Sequence, residues 1–498
     1  MKQRLDGETP MNILFAASEM VPFCKTGGLA DVVGALPLVL AERGHNVSVM
    51  LPGYSVIDRE RYGFELTSRD IAVQIGTGTR NMMLSLARYR GIDVFLLEND
   101  GYFSRAGLYG DEKGDYVDNS KRFIFFSRGV LKAAKYTGFM PDIVHTHDWQ
   151  AGLVNTYLAT IYADDPLFSS AATLFTVHNL GYQGLFPPEV FYATNLPWEC
   201  YHWTKLEHWG NVSFLKGGLI YADALSTVSA VYAGEITGDQ LGFGMHGVFS
   251  DRRADLYGIV NGIDTTLWDP STDPVIPARY SAEDCSGKRV CRRKLAKTCG
   301  FSAPAHVPVI GMVTRLDDQK GLDIFEDAAE RLMALDVRIV VLGTGLRRHH
   351  ETMTRLTERY PGRLRVFLTF DNDLARLIYA GSDAFLMPSR YEPCGLGQLI
   401  AMRYGTLPIV HDTGGLKETV QDIGDDPGYG VGFVFDEYSG GHLAGAVERA
   451  AAVFRDPRKR RWNDARNRAM RRDFSWSRSA ERYEELYLKL RNEKKSRA

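Results

Sequence analysis

Short apolar runs alternate with longer stretches in which apolar residues recur every three or four positions, and this alternation continues along most of the chain. In the first half, runs typical of buried strands cover residues 13–17, 47–51, 94–97, 143–146, 173–177 and 224–228. Apolar residues at 29, 32, 33, 36, 39 and 40 predict a helix that Gly44 ends. Strands that alternate with amphipathic helices predict parallel sheets covered by helices.

A second series of the same kind follows the Asn-Gly-Ile-Asp sequence at 261–264. Its predicted strands cover residues 309–313, 338–342, 365–368, 384–387 and 407–410. We therefore predict an α/β protein with two doubly wound, Rossmann-like domains facing a central cleft, at residues 11–258 and 259–474. The segment 475–498 has Tyr483, Leu486, Tyr487 and Leu490 at helical spacing, which predicts a final helix packing back on the N-terminal domain.

Length and composition narrow the class of protein. A chain of 498 residues is too long for one ordinary core. The net charge of -2, from 59 basic and 61 acidic side chains, predicts no general affinity for nucleic acid or for an anionic membrane. The six cysteines form no CxxC pair, there is no apolar stretch of about 18 residues, and residues 1–10 lack the apolar run of a secretory signal. We expect a cytoplasmic protein.

Doubly wound domains bind ligands at the carboxyl ends of their strands, so the loops there are the candidates for chemistry. The first such loop contains Lys25 and the pair Gly27 and Gly28. Adjacent glycines allow a ligand close to the backbone, and the helix that follows presents N–H groups and a positive dipole end to an anion. The alternative is a tight turn with a solvated lysine.

The next loops carry histidines. His145, His147 and Asp148 lie at the end of one strand, either in a metal site or against sugar hydroxyls. We favour the sugar because no further ligand has suitable spacing. Trp149 either packs on a pyranose or fills the core. His178 ends the next strand, where it is either functional or a buried structural histidine.

In the second half, Arg315 and Lys320 lie five positions apart in one loop and can converge on a diphosphate as it leaves. Glu392 lies in a loop before a helix, where it can bond sugar hydroxyls, and the N–H groups of residues 394–396 can bind phosphate. The alternatives are a solvated basic loop and a Pro/Gly-rich turn with a surface glutamate.

Seven segments stand in one order along nearly the whole chain: KTGGLADVVGALP, HTHDWQAGL, TVHNLGYQG, NGID, TRLDDQKGLD, PSRYEPCGLGQL and TGGLKETV. Together they resemble the bacterial and plant glycogen (starch) synthases, which are retaining glucosyltransferases of the glycosyltransferase-B fold. The resemblance implies transfer of glucose from ADP-glucose to the non-reducing end of an α-1,4-glucan such as glycogen. It also implies that no cofactor and no metal ion take part.

The same resemblance implies roles for individual residues. Catalytic roles fall to His178, Arg315, Lys320 and Glu392, and donor binding falls to Lys25, Gly28, Asp31, Asp148, Asn179, Cys394, Gly395 and Leu396. Tyr102, in a Gly-Tyr-Phe segment after a strand, is the candidate acceptor contact. Gly397 departs from the pattern, because relatives often have Thr or a larger residue there.

Several alternatives stay open at this point. UDP-glucose is a second candidate donor, glucose 1-phosphate is a short acceptor, and a nucleotide-sugar epimerase shares the architecture. Asp371 and Asp373 have the Asp-x-Asp spacing of a metal site, although capping of the following helix explains them better. The Gly343–Gly345 turn is a weak dinucleotide signal, because Arg348 replaces the third glycine. A glucan-binding protein without activity is disfavoured by the intact set of charged residues.

Overall fold

The computed structural model describes residues 10–112, 114–424 and 428–497. Residues 1–9, and with them most of the segment considered as a secretory signal, lie outside the described residues. The chain divides into two units. The first contains the chain up to Val228, the stretch Ala233–Val260 and the residues from Trp476 onward, and the second contains Ser229–Tyr232 and Asn261–Ser475.

Between residues 10 and 260 the elements follow one another closely. The strands are β1 (Asn12–Ala16), β2 (Asn46–Pro52), β3 (Glu65–Ile75), β4 (Gly78–Tyr89), β5 (Ile92–Glu98), β6 (Gly110–Asp111), β7 (Gly114–Asp115), β8 (Ile143–His147), β9 (Ala172–Val177), β10 (Leu185–Phe186), β11 (Glu207–His208), β12 (Asn211–Ser213), β13 (Ala224–Thr227) and β14 (Leu256–Gly258). The helices are α1 (Gly28–Glu42), α2 (Arg59–Tyr62), α3 (Asp100–Phe103), α4 (Asn119–Thr137), α5 (Asp148–Ala159), α6 (Phe191–Thr194), α7 (Phe214–Tyr221), α8 (Ala230–Glu235) and α9 (His246–Asp251).

The remaining elements repeat the alternation of strand and helix. The strands are β15 (Val309–Val313), β16 (Arg338–Leu342), β17 (Leu364–Phe367), β18 (Ala384–Met387), β19 (Leu407–His411) and β20 (Phe433–Phe435). The helices are α10 (Ser286–Cys299), α11 (Leu322–Ala334), α12 (Arg347–Arg359), α13 (Asn372–Gly381), α14 (Gly397–Arg403), α15 (Gly414–Thr419), α16 (Gly440–Arg455), α17 (Arg460–Arg471) and α18 (Trp476–Arg497). Among the helices that the structure describes, none is long and apolar enough to cross a membrane.

The large sheet of the first unit has the strand order β14-β13-β9-β8-β1-β2-β5-β4-β3. The strands from β14 to β5 are parallel, and all six predicted strands of this half are among them. The antiparallel pair β3 and β4 was not predicted. Most residues of β3 are exposed at the sheet edge, so this strand lacks the apolar run that marks a buried one.

The sheet of the second unit has the order β17-β16-β15-β18-β19-β20, and every pair in it is parallel. All five predicted strands are confirmed, and the short β20 is an addition. The predicted last helix is α18, whose buried Tyr483, Leu486, Tyr487 and Leu490 form the face that packs against α1 and β9.

In each sheet, successive strands are added first on one side of the starting strand and then on the other. The point of reversal lies between β1 and β8 in the first unit and between β15 and β18 in the second. Loops that leave neighbouring strands at such a point diverge to opposite faces and leave room for a ligand. The loops after β1, β8 and β9 and those after β15 and β18 carry nearly all the residues that the sequence singled out. The topology therefore gathers these residues at one edge of each sheet.

Candidate functional site

The loop between β1 and α1 is folded around Glu19, a buried carboxylate that the sequence analysis missed. Glu19 accepts hydrogen bonds from the backbone N–H groups of Thr26 and Gly27, from the Thr26 hydroxyl (2.6 Å) and from the Tyr109 hydroxyl (2.7 Å). An internal carboxylate therefore occupies two backbone N–H groups that precede α1, and the binding of an anion at the start of this helix stays a prediction. The position of Glu19 directly after a buried strand was the available signal.

Lys25 and Asp31 form an ion pair beside this turn. The Lys25 Nζ lies 2.7 and 2.8 Å from the two carboxylate oxygens of Asp31. Burial raises the pKa of Asp31, and the charge of Lys25 opposes that rise. The helix α1 begins at Gly28, and a Cβ added at Gly27 or Gly28 would meet no protein atom within 4 Å. A ligand can therefore approach the backbone here, next to a lysine held in place.

The two histidines at the end of β8 have different surroundings, although they point to the same side of the strand. His145 is fully buried, with Nδ1 2.7 Å from the Tyr487 hydroxyl and Nε2 2.6 Å from the Thr176 hydroxyl. Both ring nitrogens are occupied, so the interpretation of His145 as a sugar or metal contact was wrong. Trp149 is also buried, in edge contact with Phe123, and belongs to the core.

Asp148 and His178 are directly linked. The N–H of His178 donates to the Asp148 carboxylate at 2.7 Å, and Asp148 itself has a positive φ of 53°. Burial raises the pKa of Asp148 to about 7, against the opposing effect of that N–H. The His178 Nε2 lies 3.0 Å from the Nδ1 of buried His147. Burial lowers the pKa of His178 to about 3, so its imidazole is neutral at physiological pH.

Asn179 is partly buried after β9, and Tyr102 is buried after β5. The Asn179 side chain accepts the N–H of Gly181 at 3.0 Å and shapes the turn after β9. Tyr102 lies in the short helix α3 rather than in a loop, and only 8% of it is exposed. Its ring packs on Phe125, and its carbonyl accepts from Arg122 at 2.7 Å. Its contact with an acceptor stays a prediction.

In the second unit, Lys320 and Glu392 form a buried ion pair. The Lys320 Nζ lies 2.7 Å from Glu392 Oε2, which also accepts from the Ser389 hydroxyl at 2.9 Å. Arg315 lies 3.4 Å from a different carboxylate, that of Asp317, which also caps the short helical turn leading to Lys320. The loop after β15 thus directs Lys320 toward the loop after β18.

Cys394, Gly395 and Leu396 precede α14 in that second loop. Within the described ranges their N–H groups donate to no other group, which suits phosphate binding. Gly395 has a φ of 71°. Burial raises the pKa of the Cys394 thiol to about 12, so this thiol is not reactive. A Cβ at Gly397 would lie 3.1 Å from Phe385 and 3.3 Å from Met387, so a larger residue needs adjustment of both side chains.

The candidate metal sites do not assemble. Asp371 caps α13 by accepting the N–H of Leu374 at 2.9 Å, as the capping interpretation predicted. Across the part of the chain that the structure describes, no three His, Cys, Asp or Glu side chains lie together in a way that could hold a metal ion.

Comparison with known proteins identifies both units. Residues 12–251 match the family model described as the starch synthase catalytic domain, and residues 301–467 match the model of glycosyl transferases group 1. The chain is 47% identical over 479 residues to the glycogen synthase of Syntrophotalea carbinolica, covering 96% of this chain and 99% of that one. It is 44% identical over 482 residues to the glycogen synthase of Koribacter versatilis, covering 97% and 98%.

Solved structures agree with these matches. The catalytic domain of starch synthase IV from Arabidopsis thaliana, bound to ADP and acarbose, has a TM-score of 0.90 and 32% identity, covering 97% of this chain and 100% of that one. A sucrose-phosphate synthase from Thermosynechococcus elongatus has a TM-score of 0.60 and 18% identity, covering 96% and 98%. At that identity the second likeness shows the fold alone.

Proposed function

We propose a reaction for this chain from the premise that it belongs to the bacterial and plant glycogen (starch) synthase family of glycosyltransferases, with the glycosyltransferase-B fold. It transfers glucose from ADP-glucose to the non-reducing end of an α-1,4-glucan, with retention of configuration. The observation that carries this proposal is the similarity to glycogen synthases over 96% of the chain. The Arabidopsis starch synthase binds ADP, which favours ADP-glucose over UDP-glucose as the donor, and the glycogen synthase relatives disfavour an epimerase.

The leaving group is stabilised by cations and by backbone N–H groups. As the glycosidic bond to phosphate breaks, negative charge grows on the departing ADP. Arg315 and Lys320 stabilise that charge, and the N–H groups of residues 394–396 donate to a phosphate oxygen. The Glu392 carboxylate holds Lys320 at 2.7 Å, so the ammonium group is positioned before the donor binds. Lys25, held by Asp31, contacts the donor from the β1 loop.

Sugar hydroxyls are bound by neutral and acidic side chains. The Nε2 atom of His147 is buried and has no hydrogen-bond partner among the described residues. A buried N–H without an acceptor is rarer than a lone pair without a donor, so the His147 proton lies on Nδ1 and is donated to His178. His178 then carries its own proton on Nδ1 and donates it to a sugar oxygen. A histidine in this state does not act as a general base.

The reaction needs no metal ion and no protein base in this proposal. The anomeric carbon of glucose loses its bond to the phosphate oxygen. The acceptor 4-hydroxyl forms the new bond on the same face, and its proton passes to the departing phosphate. Glu392 contributes one oxygen to a sugar hydroxyl while Lys320 and Ser389 occupy the other. Because the substrates are a nucleotide sugar and a storage polymer, we assign the protein to the cytoplasm.

The test supplies purified protein with glycogen and radiolabelled ADP-glucose or UDP-glucose, with EDTA throughout. We expect label in the polymer as α-1,4-linked glucose, faster from ADP-glucose and insensitive to EDTA. Arg315→Ala should lower kcat about 10²–10³-fold, as removal of one charge-stabilising donor does. The exposed Arg347→Ala is the matched control and should match wild type. Absence of incorporation with either donor, even with added magnesium, would overturn the proposal.

A further inference from the structure

Three tryptophans between residues 198 and 209 of the first unit are unusually exposed. The exposed fractions are 58% for Trp198, 70% for Trp203 and 78% for Trp209. The chain has seven tryptophans, and none of the other four is exposed to this degree. Tyr192, 69% exposed, stacks on Trp198 with ring centroids 5.9 Å apart. Clusters of large exposed apolar side chains in soluble proteins mark binding surfaces.

The backbone at Trp209 adds an independent observation. Strands β11 and β12 pair through Glu207 with Val212 and through His208 with Asn211, so Trp209 and Gly210 form a two-residue turn. Their φ angles are 51° and 80°. Turns with two positive φ angles strongly prefer Asn or Asp before Gly, because a bulky residue is disfavoured in the left-handed region. The hairpin holds an exposed tryptophan at an energetic cost to folding, which indicates a function for the ring.

A second pair of residues with positive φ angles lies against that ring. Phe243 and Gly244 have φ angles of 46° and 80°. A Cβ at Gly244 would lie 2.7 Å from the Cη2 atom of Trp209, so the indole rests directly on this glycine. The ring of His208 stacks on Trp209, with centroids 4.6 Å apart and an interplanar angle of 19°, and the same Cβ at Gly244 would lie 3.4 Å from His208 Nε2. The indole is therefore held in one orientation while most of its surface faces solvent.

Ring contacts and hydrogen bonds connect the segments that carry the exposed aromatic rings. Trp198 contacts the ring of Tyr201 at 5.4 Å, and the Tyr201 hydroxyl donates to the carbonyl of Gly210 at 3.1 Å, next to Trp209. Lys216 donates to the carbonyls of both Trp203 and Glu207, which ties the third tryptophan to the same hairpin. We call Tyr192, Trp198, Trp203 and Trp209 the aromatic strip.

We propose that the aromatic strip binds a chain of α-linked glucose residues. This inference rests on the proposed function, which requires a polymeric glucan as substrate. One face of a pyranose is lined with C–H groups that pack on the negative face of an aromatic ring, while its hydroxyls stay solvated at the edge. Protein interfaces usually combine aromatic with aliphatic side chains, whereas six of the seven large apolar side chains exposed between residues 182 and 243 are aromatic, Leu185 being the exception. None of the four strip residues takes part in the proposed reaction.

The decisive variant is Trp209→Asn. Asparagine before Gly210 suits the turn, so we expect a higher Tm than wild type together with weaker binding to glycogen. Removal of one ring contact should weaken binding by up to about tenfold, measured by retardation in native gels that contain glycogen. The triple variant Trp198→Ala, Trp203→Ala, Trp209→Ala should lose retardation. Phe370→Ala, which removes an exposed ring of the second unit, is the matched control.

Measurements of glucosyl transfer distinguish failure of the aromatic strip proposal from failure of the proposed function. With maltotriose as acceptor, Trp209→Asn should keep the wild-type kcat, whereas its KM for glycogen should rise. If wild type incorporates no glucose, the proposed function fails. If wild type is active and the triple variant binds glycogen as tightly as wild type, the strip has no role in glucan binding. The aromatic strip could instead bind a second copy of the chain, and light scattering tests this alternative. If the triple variant dissociates from an oligomer and its glycogen affinity is unchanged, the strip is a subunit interface and the inference is overturned.

Discussion

At the scale of single residues, the candidate site depends on charges that neighbouring elements hold in place. Glu19 accepts hydrogen bonds from N–H groups of its own loop, and Lys320 is paired with Glu392 in the loop after another strand of the same sheet. Removing one partner of a buried pair leaves the other charge uncompensated, which usually destabilises a protein by about 3–5 kcal/mol. The loops after β15 and β18 are therefore coupled in stability as well as in function.

The pKa of Asp148 predicts a measurable dependence of stability on pH. Its pKa is about 7 in the folded chain, against about 3.9 for an unperturbed aspartate. Between these values the folded chain binds a proton that the unfolded chain has released, so the free energy of unfolding falls as pH rises. Asp148→Asn cannot ionise and should lack this contribution.

Urea denaturation at about pH 5 and about pH 8 tests this prediction. The stability of Asp148→Asn relative to wild type should increase from the lower to the higher pH. Asp371→Asn, which changes an exposed helix cap, controls for loss of a carboxylate elsewhere. Equal pH slopes in wild type and Asp148→Asn would show that Asp148 is ionised throughout this range.

At the scale of elements, the two Thr-Gly-Gly-Leu segments begin helices in corresponding places but need glycine for different reasons. At the start of α1, a Cβ on Gly28 would meet no protein atom within 4 Å. At the start of α15, a Cβ on Gly415 would lie 2.1 Å from the carbonyl oxygen of Cys394. The N–H of Gly415 also donates to the carbonyl of Glu392 at 3.0 Å. Helix α15 therefore packs directly on the loop that carries Glu392.

Two alanine substitutions distinguish these reasons. Gly415→Ala forces two backbone segments apart and should destabilise the fold by about 1–3 kcal/mol, as overpacking does, with loss of kcat. Gly28→Ala should change the free energy of unfolding by less than about 1 kcal/mol and should act mainly by raising the KM for the donor. Denaturation and initial-rate measurements on both variants check this. Equal stability of the two variants would contradict the packing argument.

At the scale of the whole molecule, the end of the chain belongs to the unit that contains its beginning. Helix α18 follows the second unit in sequence but packs on α1 and β9. The Glu484 carboxylate lies 2.7 Å from both Arg43 and His45, and the Tyr487 hydroxyl is hydrogen-bonded to His145 of β8. Among the residues that the structure describes, the core of the second unit is built from positions between 263 and 470 and includes none from α18.

Deletion of residues 476–498 should therefore affect the two units unequally. In hydrogen exchange, amides of β1, β8 and β9 should exchange more than about tenfold faster, because a buried face of their sheet becomes exposed. Amides of β15, β16 and β18 should keep their protection. Deletion of residues 493–498 alone, which keeps Leu490 and the other buried residues of α18 named above, is the control. Equal loss of protection in both sheets would contradict separate cores.

Much of this protein could be predicted from neighbouring residues. All eleven predicted strands and the last helix are present, because a buried strand or an amphipathic helix has an apolar period that a short window reveals. The loops with the candidate site were also predictable, since parallel strands end at the same edge of a sheet. The family followed from seven motifs in order. The exposed β3 lacked such a period and was missed.

The contacts of individual side chains were decided only by the tertiary structure. His145 and His147 are equivalent in the strand pattern. His145 is nevertheless hydrogen-bonded to Tyr487 of α18, whereas His147 is hydrogen-bonded to His178. Glu19 is an ordinary acidic residue until Tyr109 and the turn at Thr26 and Gly27 surround it. Local periodicity determined the elements and their order, because it depends on residues a few positions apart. The partner of each buried polar group depended on segments far away in sequence, which meet only when the sheets form.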